Sequence, residues 1–258
     1  MSVSKRLLIL WCFKLLSLFQ KILKRLFVTM KHLVLLFICF TFCCGFAQND
    51  EANTVIDSLY KEDQFYAAIT YNVLHKVPDN LKQSGFSLGF HIGFIKDMPI
   101  NSRRNWAIGV GLGYSTNSFN QNLLINTNEN KDFVYDIVNE NTYSKNKFSN
   151  HVIELPIELR WRTSTASDYN FWRIYAGFKL GYMFLNNTKY DGDLGRIKHA
   201  NINEFNKLQY GLTLSAGYNT WNFYAYYGLN PILKDAALSN GTTLDMTDIK
   251  LGLIFYIL

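Results

Sequence analysis

Residues 152–185 read VIELPIELRWRTSTASDYNFWRIYAGFKLGYMFL, two runs in which apolar residues alternate with glycine or charged residues. The apolar set of the first run is Ile153, Leu155, Ile157, Leu159 and Trp161. That of the second run is Trp172, Ile174, Ala176, Phe178, Leu180, Tyr182 and Phe184. A sustained period of two predicts β-strands, and the polar segment between the runs predicts a hairpin. Charge and glycine opposite a continuous apolar face are typical of strands between lipid and a narrow polar lumen.

The same alternation recurs in six other segments: Gln64–Lys76, Gly85–Lys96, Asn105–Asn117, Lys207–Tyr218, Thr220–Leu229 and Asp248–Leu258. Together with the hairpin they predict an all-β fold, an eight-stranded antiparallel transmembrane β-barrel of outer-membrane type. The connections predicted on one side are mostly long, namely 77–84, 118–147, 186–206 and 230–247. Those on the other side are short, namely 97–104, 163–170 and 219–220. Outer-membrane barrels have this asymmetry, with the long loops facing outward.

The region before residue 64 indicates export. Met30-Lys31-His32 and the apolar run to Phe46 have the form of a cleaved signal peptide over 30–47, with small residues before Gln48. Residues 48–63 are polar and acidic, and we expect a periplasmic lead-in to a barrel spanning 64–258. Residues 1–29 are basic and apolar, which fits a mis-assigned upstream start, an extended signal n-region or an amphipathic surface helix.

The net charge of +6 does not indicate a nucleic-acid-binding protein. Seven basic residues and no acidic ones precede residue 48, which leaves 19 basic and 20 acidic residues in the rest of the chain. We therefore expect no nucleic-acid partner. All four cysteines (Cys12, Cys39, Cys43 and Cys44) also lie before residue 48. A disulfide framework, a zinc–thiolate site or a catalytic thiol is thus excluded for the predicted barrel.

Charged residues on the lumen side of the hairpin are the candidate site: Glu154, Glu158, Arg160, Arg173 and Lys179. A turn centred between Ala166 and Ser167 would place Glu154 opposite Lys179 and Arg160 opposite Arg173. Isolated charges in a narrow barrel are costly, so we expect these side chains to pair and to fill the lumen as a structural network. A proton or substrate site is the functional alternative for the same residues.

Histidines offer a further possibility for chemistry. The spacing of His75, His91, His151 and His199 does not match a metal site, and we expect neither a metal nor a cofactor. His151 and Ser149 lie near an outer loop, so a barrel enzyme acting on lipid is conceivable, although an orienting acid cannot be identified. Gly109, Gly111 and Gly113 alternate within a predicted strand, which indicates a lumen-facing glycine ladder and not a nucleotide loop.

The carboxyl-terminal segment KLGLIFYI, residues 250–257, resembles the polar-x-Gly-x-x-apolar signal by which the barrel assembly machinery recognises its clients. Four tryptophans, at positions 106, 161, 172 and 221, lie near predicted strand ends. Tryptophan at such positions is typical of the aromatic belts at membrane interfaces. The expected surroundings are therefore outer-membrane lipid, with the assembly machinery as a partner during insertion.

Three stretches resemble the PorT family, also called SprT: QFYAAITYN at 64–72, ELRWRTST at 158–165 and YGLTLSAGYNTWN at 210–222. The resemblance extends over 58–258, including YGLNP at 227–231 and FYIL at 255–258, and leaves out 1–29. It implies an outer-membrane β-barrel that takes part in type IX protein secretion and, in gliding bacteria, in gliding motility. The implied partners are other type IX secretion components. The resemblance brings no functional residues with it.

These observations predict a non-enzymatic barrel in the outer membrane with a structural or assembly role in type IX secretion. The fold and location come from the residues, whereas the secretion role comes only from the resemblance. An eight-stranded barrel has an interior just wide enough for side chains, so a conduit for folded cargo is not expected. One alternative is a small structural or adhesion barrel with ligand-binding outer loops. The other is the lipid-modifying enzyme considered for His151 and Ser149.

Overall fold

The computed structural model describes residues 63–163 and 171–257, and all the segments that alternate with period two form strands within these ranges. In chain order the strands are β1 (Gln64–His75), β2 (Leu88–Pro99), β3 (Trp106–Asn120), β4 (Leu123–Thr127), β5 (Phe133–Ile137), β6 (Tyr143–Arg162), β7 (Trp172–Gly192), β8 (Gly195–Ala200), β9 (Leu208–Tyr218), β10 (Trp221–Gly228) and β11 (Thr247–Ile257). A single 3-10 turn, Glu140–Thr142, lies between β5 and β6 in this part of the chain. The predicted signal peptide and lead-in lie outside the described residues.

Eight of these strands close into an antiparallel barrel. The order around the barrel is β1, β2, β3, β6, β7, β9, β10 and β11, and β11 pairs with β1 to close it. Along each strand the side chains alternate between exposed apolar residues on the outer surface and buried residues in the lumen. Because the sheet is closed, no barrel strand has a free edge along its paired length. The predicted fold class is confirmed.

The connections fall into two groups at opposite ends of the barrel. The turns after β2 and β9 lie at one end, together with the end of β6 and the start of β7, and this end is here called the short-turn end. The connections 76–87, 121–142, 193–207 and 229–246 lie at the other end, the long-loop end, and are together called the cap. Five aromatic residues mark the outer surface at the short-turn end through the cross-strand pairs Trp106–Trp161, Trp172–Tyr218 and Tyr218–Trp221.

The cap is folded around its own apolar core. Phe119 stacks on Phe148 with ring centroids 4.8 Å apart, and Phe148 meets Phe205 edge-on at 5.5 Å. The other core residues come from all of the long connections and from the adjoining strand ends: Leu74, Leu81, Leu123, Ile125, Tyr135, Val152, Met183, Ile202, Ile232, Leu233, Ala236, Leu238, Leu244 and Met246. Backbone hydrogen bonds such as Ile232 N to Met246 O, at 2.8 Å, connect the segments. Burial raises the pKa of the Tyr135 hydroxyl in this core.

The predicted outer loops 118–147 and 186–206 were too long, because both strands of the central hairpin continue into them. β6 begins at Tyr143 and β7 ends at Gly192, where β8 adds a third strand. Asparagine, lysine and aspartate dominate this extension and have low strand propensity, so the alternation was not recognised there. Inward-facing residues of the extension, such as Phe148, pack into the cap core and hold the strands in place.

The predicted register of the central hairpin was wrong by two residues. Glu154 lies opposite Gly181 and Glu158 opposite Gly177, whereas Lys179 lies opposite Pro156. Each long carboxylate thus faces a glycine, and a Cβ at Gly177 would lie 2.9 Å from the Cα of Glu158. A shift of two residues leaves every side chain on its predicted face, so the alternation could not detect the error.

Candidate functional site: the filled lumen and the cap

The lumen at the short-turn end is closed by a buried ionic cluster. Asp97 accepts hydrogen bonds from Arg160 Nη1 at 3.0 Å and from Arg162 Nη1 and Nη2 at 2.9 and 2.8 Å. Arg160 also donates to the side-chain oxygens of Gln64 at 2.8 Å and Glu158 at 3.3 Å. The side chains of Asp97 and both arginines have no exposed surface. Buried charges of this kind are tolerated because each has hydrogen-bonded partners of opposite charge.

A second cluster occupies the middle of the lumen. Lys179 Nζ donates to Glu154 Oε2 at 2.8 Å and to the Tyr224 hydroxyl at 2.7 Å. His91 lies on the other side of Glu154, with Nδ1 3.1 Å from Oε1, and its Nε2 is 3.2 Å from the hydroxyl of Thr70. This arrangement satisfies both oxygens of the carboxylate. Nearer the cap, Lys250 and Asp248 form a separate ion pair at 2.6 Å.

Four of the five predicted lumen residues are therefore distributed over two clusters, and the fifth, Arg173, lies apart from both. Glu154 and Lys179 meet in the middle, even though they are not directly opposite, because a diagonal neighbour is within reach of a long side chain. Arg160 and Glu158 meet at the short-turn end. Arg173 lies opposite Arg162, not Arg160, and its guanidinium sits 4.5 Å from the ring centroid of Phe171. Within the described residues it has no carboxylate at salt-bridge distance.

Sequence reasoning missed the central acceptor of the first cluster. Asp97 was assigned to a turn because the second strand was ended at Lys96, but β2 continues to Pro99. Its lumen face runs through His91, Gly93 and Ile95 to Asp97, so one more step of the same alternation would have found it. The partners of His91 came from distant strands, and nothing local in the sequence indicates them.

Glycines on the lumen face make room for large side chains from other strands. The Tyr66 ring lies against Gly93 and Gly113, where an added Cβ would overlap the ring and the hydroxyl respectively. At Gly109 a Cβ would come within 2.8 Å of Arg160 Cδ. The glycines on β3 thus act as predicted, as a ladder facing the lumen. Between the middle cluster and the cap, a cavity of about 20 Å³ next to Glu154, Lys179 and Lys250 has room for a single water molecule.

His151 belongs to the outer surface near the long-loop end. Its Nδ1 is 2.6 Å from the Tyr114 hydroxyl, and its ring stacks on Tyr114 and packs against Phe184. In the part of the chain that the structure describes, no carboxylate is bonded to this histidine. The geometry resembles an interfacial aromatic cluster more than a hydrolytic dyad.

In 63–163 and 171–257, three or more acidic, histidine or cysteine side chains do not come together in a way that would hold a metal ion. The same ranges contain no helix that is long and apolar enough to cross a membrane.

Residues 46–234 match the family model described as "Outer membrane protein beta-barrel domain". The chain belongs to this family. A search of curated proteins gave no match. Membership agrees with the closed antiparallel barrel and its apolar outer surface, and it places the protein among outer-membrane barrels.

Two solved structures similar to this family member are of Ail, the attachment invasion locus protein of Yersinia pestis. One is a complex with the heparin analogue sucrose octasulfate, with 12% identity, a TM-score of 0.32, and coverage of 76% of this chain and 99% of Ail. The other is of Ail without that ligand named, with 11% identity, a TM-score of 0.33, and coverage of 76% and 98%. These TM-scores are too low to support the fold, which is established by the strand pairing and the family match.

Proposed function

We propose that this outer-membrane barrel is a non-enzymatic binding protein, whose cap contacts a ligand or another surface outside the cell. The observation that carries the proposal is the contrast between the two ends. The lumen is filled by buried ion pairs, which argues against a conduit. The long-loop end instead carries an ordered cap with an apolar core and a projecting three-stranded sheet. Binding residues are commonly placed on loops held by a rigid scaffold.

The orientation is part of this proposal. In outer-membrane barrels the short turns face the periplasm and the long loops face outward. The tryptophan-rich surface at the short-turn end is then the inner interface. The His151, Tyr114 and Phe184 cluster is the outer interface.

The test is a chromosomal deletion complemented with cap variants. Wild-type complementation is expected to restore attachment to surfaces, and a variant with serines at Val77, Glu129 and Leu194, all exposed in the cap, is expected not to. A control variant with serines at Ile100 and Arg103, both exposed at the short-turn end, is expected to behave as wild type. Attachment that is independent of the gene would overturn the adhesion proposal.

A second candidate is a component of type IX secretion, with a possible part in gliding motility and with other secretion components as partners. It is supported by the resemblance to the PorT family. The resembling stretches lie in β1, at the end of β6 and in β9–β10, which are barrel scaffold and not cap. Accumulation of unexported cargo in the periplasm of the deletion strain, with attachment unchanged, would favour this candidate over adhesion.

We infer no catalytic role for His151. The hydrogen bond to Tyr114 occupies its Nδ1, where a triad would place an orienting acid. His151→Ala is therefore expected to leave the lipid composition of the outer membrane unchanged. An altered acyl-chain profile in cells that carry this variant at normal abundance would contradict the inference.

A further inference from the structure

The outer surface of the central hairpin changes character along its length. Ile153 and Tyr182 belong to the apolar band, and His151 follows within the aromatic cluster. A bulge at Phe184 switches the outward-facing residues of β7 from even- to odd-numbered positions, whereas those of β6 stay odd-numbered. The next outward residues are Ser149 and Asn187, and beyond them the surface is cationic.

Three lysines form one row across the projecting sheet. Lys147 lies directly opposite Lys189, and Lys189 lies directly opposite Lys198 on β8. We call these three residues the lysine row. Like charges directly opposite one another on a sheet face destabilise the pairing, so such a row works against the stability of the hairpin.

The adjacent outward positions add to the positive charge. Lys145 lies opposite Asp191, and Asp191 lies opposite Arg196. Asp191 pairs with Arg196 at 3.1 Å, so its carboxylate offsets only part of the positive charge around Lys189. The positive charges of Lys145, Arg196 and Lys198 lower the pKa of Lys189, with Lys145 having the largest effect, while the Asp191 carboxylate acts in the opposite direction.

Carboxylates compensate for only part of this repulsion. Across 63–163 and 171–257, no acidic side chain lies within salt-bridge distance of the lysine row. The row is solvent-accessible, and it faces outward from the barrel and not into the cap core. A surface that concentrates unneutralised cations at this cost is suited to bind a ligand with several closely spaced negative charges.

The height of the row above the apolar band identifies the ligand. Lys147 is four residues beyond His151 on β6, which is roughly 13 Å along the strand and about 10 Å along the membrane normal at the usual strand tilt. The polar headgroup layer extends roughly 5–8 Å from the hydrocarbon core on each side. The lysines therefore continue the lipid-facing surface to the outer edge of the headgroup layer.

We propose that the lysine row binds the phosphate groups of the phosphorylated glycolipid of the outer leaflet, lipid A. The proposal rests on the outward orientation stated under the proposed function, but not on an adhesive role. The bound glycolipid would neutralise the row and hold the projecting sheet against the membrane surface. It would thereby fix the position of the cap.

The test measures binding of the full-length purified barrel to fluorescent bisphosphoryl lipid A in neutral detergent micelles, by anisotropy. The variant is K147Q/K189Q/K198Q, which keeps most of each side-chain stem and removes three charges. The matched control K82Q/K131Q/K234Q removes three charges from exposed, dispersed positions of the same end. Both variants are first checked for the heat-modifiable gel shift of a folded barrel.

Wild type and K82Q/K131Q/K234Q are expected to bind within about twofold of each other. K147Q/K189Q/K198Q is expected to bind roughly tenfold to hundredfold more weakly, since each lysine near an anionic surface contributes about a factor of five. Lipid A lacking phosphates should bind wild type as weakly as bisphosphoryl lipid A binds the variant.

Equal losses in the two variants would show an effect of net charge alone and overturn the proposal. Binding of wild type that does not depend on the lipid phosphates would do the same. So would selective binding of a soluble sulfated polysaccharide with no binding of lipid A. Because the assay uses purified protein, its failure is distinguishable from failure of the adhesion proposal, which is read from cells.

Discussion

The barrel lumen and the cap are two interiors with opposite chemistry. In the lumen, charged and hydroxyl side chains such as Asp97 and Arg160 fill a space whose outer wall faces lipid. In the cap, phenylalanines and aliphatic residues fill a space surrounded by water. The difference follows from the solvent: in lipid the apolar residues belong outside, whereas in water they belong inside. The chain meets both requirements because its apolar residues face outward within the apolar band, whereas they face inward where β3, β6 and β7 extend beyond it.

Removal of the carboxylate of Asp97 should have the largest effect on the lumen. Asp97→Asn leaves two fully buried guanidinium groups without their shared counter-charge, and we expect a loss of about 3–5 kcal/mol in the free energy of unfolding. Urea unfolding of the barrel in phosphatidylcholine vesicles, followed by heat-modifiable gel mobility, measures this.

The exposed Asp79→Asn is the matched control, expected within about 0.5 kcal/mol of wild type. Replacement of all four charges of the cluster, in Asp97→Leu/Glu158→Gln/Arg160→Met/Arg162→Leu, is expected to recover much of the lost stability. If Asp97→Asn and Asp79→Asn unfold at the same urea concentration, water reaches the cluster and its charges are not fully buried.

Truncation of a core side chain of the cap should act on the cap alone. Phe205→Ala removes a fully buried ring, a change that typically costs about 3–5 kcal/mol. We expect protease cleavage within 193–246 to increase while the barrel keeps its urea midpoint and its heat-modifiable shift. Leu194→Ala, at an exposed position, serves as the control. Simultaneous loss of the barrel would mean that the two interiors are one cooperative unit.

A smaller effect is expected where the lumen is packed most closely. Gly113→Ala places a methyl group against the Tyr66 hydroxyl, which should lower stability by about 1–3 kcal/mol. Tyr66→Phe removes that oxygen, for which no hydrogen-bond partner is found in the described chain. The double variant should therefore be more stable than Gly113→Ala alone. If Gly113→Ala and the double variant lose the same stability, Tyr66 is not the obstacle. The same conclusion follows if neither variant loses stability.

The same contrast explains what the sequence could predict. Alternation with a period of two is fixed by the geometry of a strand at a boundary between lipid and lumen, so it identified all eight barrel strands and their faces. It could not set the register, because a shift of two residues, as at Glu154, preserves every face. The cap has no period, since its core residues, such as Tyr135 and Met246, come from separate connections and meet only in three dimensions.

For the lumen, the sequence could predict that charges pair but not every partner. Charges of opposite sign on one narrow interior indicate pairing, and Glu154 with Lys179 is one such pair. The partner of His91, 63 residues away in the chain, depends on how the barrel closes. The lysine row is likewise invisible in one dimension, because Lys147, Lys189 and Lys198 become neighbours only through the pairing of β6, β7 and β8.

Both proposals, adhesion through the cap and lipid binding by the lysine row, require the cap to face outward from the cell. Single cysteines test this directly, since the chain has none after residue 47. Leu194→Cys lies in the cap and Arg103→Cys at the short-turn end, and both positions are exposed. A membrane-impermeant maleimide applied to intact cells is expected to label the first and not the second, with both labelled after lysis. Labelling of Arg103→Cys but not of Leu194→Cys in intact cells would contradict the account.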